Sequence, residues 1–257
     1  MKLTLGFSSC PNDTFMFEAI VNQKIDLEGL SFTIVMEDIE SLNKKGLENQ
    51  LDVTKLSFNT FLYCVEKYIL LNCGSALGIN CGPIFIKHPE TVINKESKIG
   101  IPGIFTTANM LLDLAYPEFQ NRQEILFSKI EESILKKEVD AGVIIHESRF
   151  TYKEKGLKKV KDLGLYWQEK TKLPIPLGGI FVKRELERSL QEKIQRVLKR
   201  SIDYTFSNPK SSEEYVNLHA QGMQQDVINA HIKLYVNEFS VNLGEEGKKA
   251  VQILFEN

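Results

Sequence analysis

Apolar and polar positions alternate over short stretches through the first 88 residues, and each stretch ends in a polar cluster. Residues 2–8, with Leu3, Leu5 and Phe7 in alternation, predict a first strand. The cluster Ser8-Ser9-Cys10-Pro11-Asn12-Asp13 then reads as a turn. Asn12 or Asp13 is placed to cap a helix over 14–22, whose apolar positions are Phe15, Phe17, Ala19 and Ile20. A second strand is expected over 30–35, ending in Glu37-Asp38, and a polar helix over 39–49 with Ser41 and Asn43 near its start. Residues 52–58 form a third strand, followed by a helix over 59–66, a strand over 68–72 and the small-residue loop 74–78. A strand over 82–86 leads to His88-Pro89, a natural boundary.

The pattern then starts again. Residues 98–103 read as strand and turn, and Thr106 or Thr107 caps a helix running to Ala115. A short strand over 124–127, a helix over 130–138 and a strand over 141–145 follow, then segments over 159–167 and 175–183. The second of these, with Pro174, Pro176, Gly178 and Gly179 around a turn, is the expected return crossing. Helical spacing of apolar residues marks 184–206, and further helices are expected over 227–235 and 246–255. Two α/β units joined by two crossings, near 84–90 and 175–183, predict a two-lobed α/β fold with a ligand cleft between the lobes. The larger, discontinuous lobe would be 1–88 with 181–257, and the smaller 89–180.

Composition narrows the class. The 257 residues are 42% hydrophobic and 26% charged, with a formal net charge of −2, which fits a globular chain. No basic block supports nucleic-acid binding. No apolar run approaches the roughly 18 residues that span a bilayer, and residues 1–7 are too short for a signal core, so the cytoplasm is the expected compartment. Cys10, Cys64, Cys73 and Cys81 show no metal-ligand spacing, so free thiols are expected and no metal site. The glycines fit neither a Walker loop nor a dinucleotide fingerprint.

Candidate chemistry sits at the ends of the predicted strands. Val143, Ile144 and Ile145 form a continuous apolar run that stops at His146, and polar residues follow at once. Open α/β sheets place ligands at such strand ends, and imidazole moves protons near neutral pH. A histidine hydrogen-bonded at a strand end for structural reasons fits the same pattern. Lys55 and Ser57 are two apart on a strand and share a face, a cation and a hydroxyl suited to a carboxylate or hydroxyl ligand, though Lys55 also reads as a solvated edge residue. The loops 9–14, 55–57, 103–108 and 146–149 would converge on the cleft, the usual layout of an active site. For His219 and His231, on predicted helices, a solvated or core role is expected.

The motifs at these loops occur together in a known family. They are Cys10-Pro11-Asn12-Asp13-Thr14-Phe15, Asp52-Val53-Thr54-Lys55-Leu56-Ser57, Gly74-Ser75-Ala76-Leu77-Gly78, Thr106-Thr107-Ala108, His146-Glu147-Ser148-Arg149-Phe150-Thr151-Tyr152 and Tyr235-Val236-Asn237. By these the chain resembles the 1,4-dihydroxy-6-naphthoate synthase family of the futalosine route to menaquinone, over residues 8 to about 247. The resemblance implies a class II periplasmic-binding-protein-like fold turned to catalysis. It implies conversion of cyclic dehypoxanthine futalosine to 1,4-dihydroxy-6-naphthoate, with loss of a dihydroxyacetone fragment and no redox cofactor or metal. It makes His146 the proton acceptor and Lys55, Leu56, Ser57, Thr107 and Ala108 substrate contacts. Asn12, Asp13, Asn43 and Thr106 complete the candidate substrate-binding set. One departure is Ser9, where the family pattern has proline, which would fix φ in that turn. The expected partner is a small-molecule substrate, without nucleic acid or membrane, bound by a monomer or homodimer. The rival expectation is a solute-binding protein of the same fold that captures a small carboxylate and transforms nothing.

Overall fold

The computed structural model describes residues 1–220 and 222–256, and the chain divides into two compact units, residues 1–78 with 176–257 and residues 79–175. In the first unit, strands β1 (Lys2–Phe7), β2 (Ser31–Met36), β3 (Val53–Ser57), β4 (Tyr68–Leu70) and β5 (Ala76–Gly78) alternate with helices α1 (Pro11–Val21), α2 (Ile39–Leu47) and α3 (Phe58–Leu62). In the second unit, β6 (Ile84–Lys87), β7 (Ile99–Ile101), β8 (Arg122–Glu124), β9 (Ala141–Ile144) and β10 (Lys158–Asp162) alternate with α4 (Thr107–Ala115), α5 (Ile130–Leu135), α6 (Ser148–Thr151) and α7 (Leu163–Thr171). Strand β11 (Ile175–Lys183) returns to the first unit, which α8 (Arg188–Ser207), α9 (Glu213–His219), α10 (Gln225–Tyr235), α11 (Glu238–Val241) and α12 (Gly244–Glu256) complete.

The first sheet runs β2-β1-β3-β11-β4, with β5 also paired to β11. β1 is parallel to both neighbours, and β11 is antiparallel to β3 and β4. A helix-covered sheet buries its strands on both faces, and β3 is buried at every residue although Thr54, Lys55 and Ser57 are polar. Helix α1 is buried at ten of its eleven positions, because it lies between sheet residues such as Phe7, stacked on Phe17 at 4.5 Å, and the C-terminal helices. The second sheet, β10-β6-β9-β7-β8, has the fully buried β9 in its middle. Ile84, Ile86, Ile130, Ile134, Val139 and Ile144 form its core.

Several boundaries differ from expectation. Helix α1 starts at Pro11, inside the predicted turn cluster, because proline suits the first helical position. Asn12 and Asp13 therefore do not cap it; the cap residue is Cys10, and its side chain makes no capping bond. The strand expected at 124–127 lies at Arg122–Glu124, a largely polar edge strand with no apolar period to reveal it. Residues 159–167 divide into the end of β10 and the start of α7, where the Asp162 side chain accepts from the Leu165 N–H. The sequence pattern does not mark helices α6, α9 and α11. Lys55, for which the sequence also allows a solvated edge position, lies on a strand flanked by β1 and β11 and is 6% exposed. Among the described residues no helix is long and apolar enough to cross a membrane.

Candidate functional site

In the first unit the candidate residues fall into two buried hydrogen-bonded groups. Asp13 is the hub of one. Its Oδ2 accepts from the Ser8 N–H at 3.1 Å and the Ser8 hydroxyl at 2.7 Å. Its Oδ1 accepts from Asn12 Nδ2 at 2.8 Å and Lys55 Nζ at 2.5 Å. Lys55 reaches Asp13 because β3 runs beside β1, whose end leads into the first turn of α1, where Asp13 lies. A buried ion pair of this kind is weak evidence for stability but fixes where the ammonium sits. An ammonium carries three donors, and Asp13 takes one of them, so two remain for a ligand.

The second group is centred on Asn43 of α2. Its Oδ1 accepts from the Ser57 N–H at 2.9 Å, and its Nδ2 donates to the Ser57 hydroxyl at 3.1 Å and to Glu40 Oε2 at 3.2 Å. Since Asn43 occupies a lone pair of the Ser57 oxygen, the Ser57 O–H proton is left to donate elsewhere. Asp38 sets the helix by accepting from the N–H groups of Glu40 and Ser41. Lys55 and Ser57 thus offer donors at alternate positions of one buried strand, a pairing suited to carboxylate or carbonyl oxygens. Leu56, between them, points to the opposite face and is fully buried.

In the second unit, Thr106 caps α4 by accepting from the Asn109 N–H at 3.2 Å, while its hydroxyl donates to the Gly103 carbonyl at 2.7 Å. This resolves the choice of cap: Thr107 is the first helical residue and Ala108 the second. Their N–H groups precede the first intrahelical bond, from Met110 to Thr106, at the positive end of the helix dipole.

His146 follows the end of β9 by two residues, and its backbone is left-handed, at φ 58°. A residue with a Cβ pays for that conformation, and such strain concentrates at functional sites. The turn is held from both sides. Ser148 donates to Glu131 at 2.8 Å, where Lys155 also pairs at 2.7 Å, and Arg149 pairs with Asp162 at 2.9 Å and also donates to the Gly82 carbonyl. Phe127 meets the His146 ring edge-on, with centroids 4.8 Å apart. Burial raises the Glu147 carboxyl above the usual carboxylate range, and the Glu131 charge adds to the rise.

Sequence reasoning missed the anchoring roles of Glu131, Asp162 and Lys155, and for His231 it expected a solvated or core role. The imidazole of His231 is fully buried, with Nε2 3.0 Å from Asn12 Oδ1. No sequence pattern joins positions 219 residues apart. Among the described residues no three His, Cys, Asp or Glu side chains gather as metal ligands do.

Comparison with known proteins yields consistent matches. A family model described as menaquinone biosynthesis matches residues 3–257. A protein of Thermus thermophilus named 1,4-dihydroxy-6-naphtoate synthase is 40% identical over 253 residues, 98% of this chain and 92% of its own. A Streptomyces coelicolor protein of the same name is 34% identical, covering 97% of this chain and 90% of its own. A crystal structure of an Archaeoglobus fulgidus protein superposes with a TM-score of 0.94 at 34% identity, over 99% of this chain and 96% of that one. At 14% identity and a TM-score of 0.70, covering all of this chain and 91% of the other, a Candida albicans protein described as having the generic periplasmic binding protein fold shares the architecture. The fold is therefore periplasmic-binding-protein-like.

Proposed function

The chain belongs to the menaquinone biosynthesis family, and from that premise we propose that it converts cyclic dehypoxanthine futalosine to 1,4-dihydroxy-6-naphthoate. The reaction is a carbon–carbon lyase step that releases a dihydroxyacetone fragment, with His146 as general base. The observation that carries this reading is the His146 turn: an imidazole beyond the end of a central strand, on strained backbone, with the flanking Ser148 and Arg149 each tied to a carboxylate. Such a turn holds the backbone that carries the ring, and in this reading the ring takes its proton from the substrate. A positioned base contributes roughly 10²–10⁴-fold.

Substrate contacts are assigned to Lys55, Ser57, Thr107 and Ala108; Leu56, expected to join them, faces the other side of the strand and packs behind it. Lys55 and Ser57 supply donors for carboxylate and hydroxyl oxygens, and the start of α4 supplies backbone N–H groups for negative charge. Asn12, Asp13, Asn43 and Thr106 act behind them, holding Lys55, Ser57 and the helix end in place. Forming an aromatic product supplies driving force, so one base and a set of fixed donors suffice. The reaction asks for no redox cofactor or metal.

The shared periplasmic-binding-protein fold supports a second reading, capture of a small carboxylate without chemistry. Incubation with cyclic dehypoxanthine futalosine separates the two. Appearance of naphthoate fluorescence, lost in His146→Ala, is expected. Tight binding with unchanged substrate after many hours would replace catalysis with capture.

A further inference from the structure

Among the fully buried titratable groups of the first unit that the proposed mechanism leaves without a role is His231, near the middle of α10. Its Nε2 lies 3.0 Å from Asn12 Oδ1, and the Tyr235 ring packs beside it at 4.6 Å. Asn12, itself 4% exposed, turns its other amide atom, Nδ2, to Asp13 Oδ1 at 2.8 Å. That same oxygen of Asp13 holds Lys55. Two buried side chains, Asn12 and Asp13, therefore connect the imidazole to the ammonium.

The amide of Asn12 has two orientations, and only one suits Asp13. With Nδ2 toward Asp13, the carboxylate gains a donor. Reversed, the amide oxygen would face the carboxylate oxygen, acceptor against acceptor, in a buried setting where such a clash is costly. The favourable orientation leaves Oδ1 facing His231, and it is satisfied only if Nε2 carries the proton.

We infer that His231 is a positioning residue for the substrate site: its Nε2–H fixes the Asn12 amide, which orients Asp13 and through it the Lys55 ammonium. The inference relies on the proposed reaction for its kinetic consequence and on geometry alone for the tautomer. A ring that donates through Nδ1 with Nε2 bare would free the amide to turn, and Lys55 would lose its fixed place.

The test has two arms. Long-range ¹⁵N–¹H spectra of the labelled protein, with the His231 signal identified by its loss in His231→Gln, are expected to show the proton on Nε2; a bare Nε2 would overturn the inference. In the second arm, His231→Leu removes the donor and His231→Gln keeps one. The leucine variant is expected to raise KM for cyclic dehypoxanthine futalosine roughly three- to tenfold, with kcat within a few-fold, the range that loss of a neutral hydrogen bond such as that to the Asn12 amide oxygen produces. The glutamine variant should restore KM to near the wild-type value. A purely structural histidine gives the contrary pattern, a lower melting temperature with unchanged KM. If His231→Leu fails to fold, the tautomer and the glutamine variant still decide. If the wild-type protein makes no product at all, the reaction assignment fails while the tautomer result stands.

Discussion

His146 holds a left-handed backbone that a glycine would adopt without strain. The strain costs about 1–2 kcal/mol in any residue with a Cβ. His146→Gly is therefore expected to melt at a higher temperature than His146→Ala, although glycine usually weakens a fold. Alanine keeps the strain and loses the Phe127 contact. Both variants should lose roughly 10²–10⁴ of turnover. Calorimetry and turnover on the same samples check this, and an alanine variant as stable as the glycine one would remove the strain argument. The neighbouring Glu147 gives a pH signature. Its carboxyl is raised in the folded protein, so the native state keeps a proton that the unfolded chain has released. Stability then falls as pH climbs from the ordinary glutamate value of 4.5 through the raised one, and levels off above it. Glu147→Gln should erase that slope and melt at or above wild type at neutral pH; a melting curve series against pH that leaves the slope intact would point to another group. The strand end and its polar run were legible in the sequence, but the φ of His146 was not, because nothing local marks it. Nor was the work of Asp13, since an aspartate in a first helical turn reads the same whether it caps the helix or holds a lysine.

Strand β11 shows what elements add. It pairs Gly178 with Ser57 and Ile180 with Lys55. A Cβ on Gly178 would lie 2.8 Å from the Leu56 carbonyl oxygen and 3.4 Å from Lys55 Cε. The first contact is with backbone, which cannot swing away. Gly178→Ala should destabilise by about 1–3 kcal/mol, the usual range for overpacking, and weaken substrate binding by moving β3. Denaturant titration with a parallel binding measurement checks both, and a variant with wild-type midpoint and affinity would show that the strands part freely. Alternation made β1 readable, a continuous apolar run β9, and helical spacing α8. Helix α9 stayed hidden because Val216 is its only buried residue and its flanks are polar. The burial of Lys55 stayed hidden because its cover arrives from more than 120 residues away.

For the whole molecule, the buried thiols serve as reporters. Burial pushes Cys64 up to about 11 and both Cys73 and Cys81 up to about 12. Thiols in that state react slowly, since the thiolate is the nucleophile. Cys64 and Cys73 belong to the first unit and Cys81 to the second. None of the three should label with iodoacetamide in native buffer. As denaturant rises, Cys81 is expected to label first, because the second unit is the smaller. Simultaneous labelling of all three would show that the two units unfold as one.

The place of β11 between β3 and β4 also has a consequence for synthesis on the ribosome. When β3 emerges, its neighbour on one side lies more than a hundred residues downstream. Residues 79–175 form an uninterrupted stretch and can close as soon as they leave the exit tunnel. The amino-terminal strands must wait with an open edge, one that invites pairing with other chains. The nascent protein therefore matures from its middle outward. Protease challenge of stalled chains should find 79–175 resistant while residues 1–78 are still being cut, until β11 and the helices after it have been made.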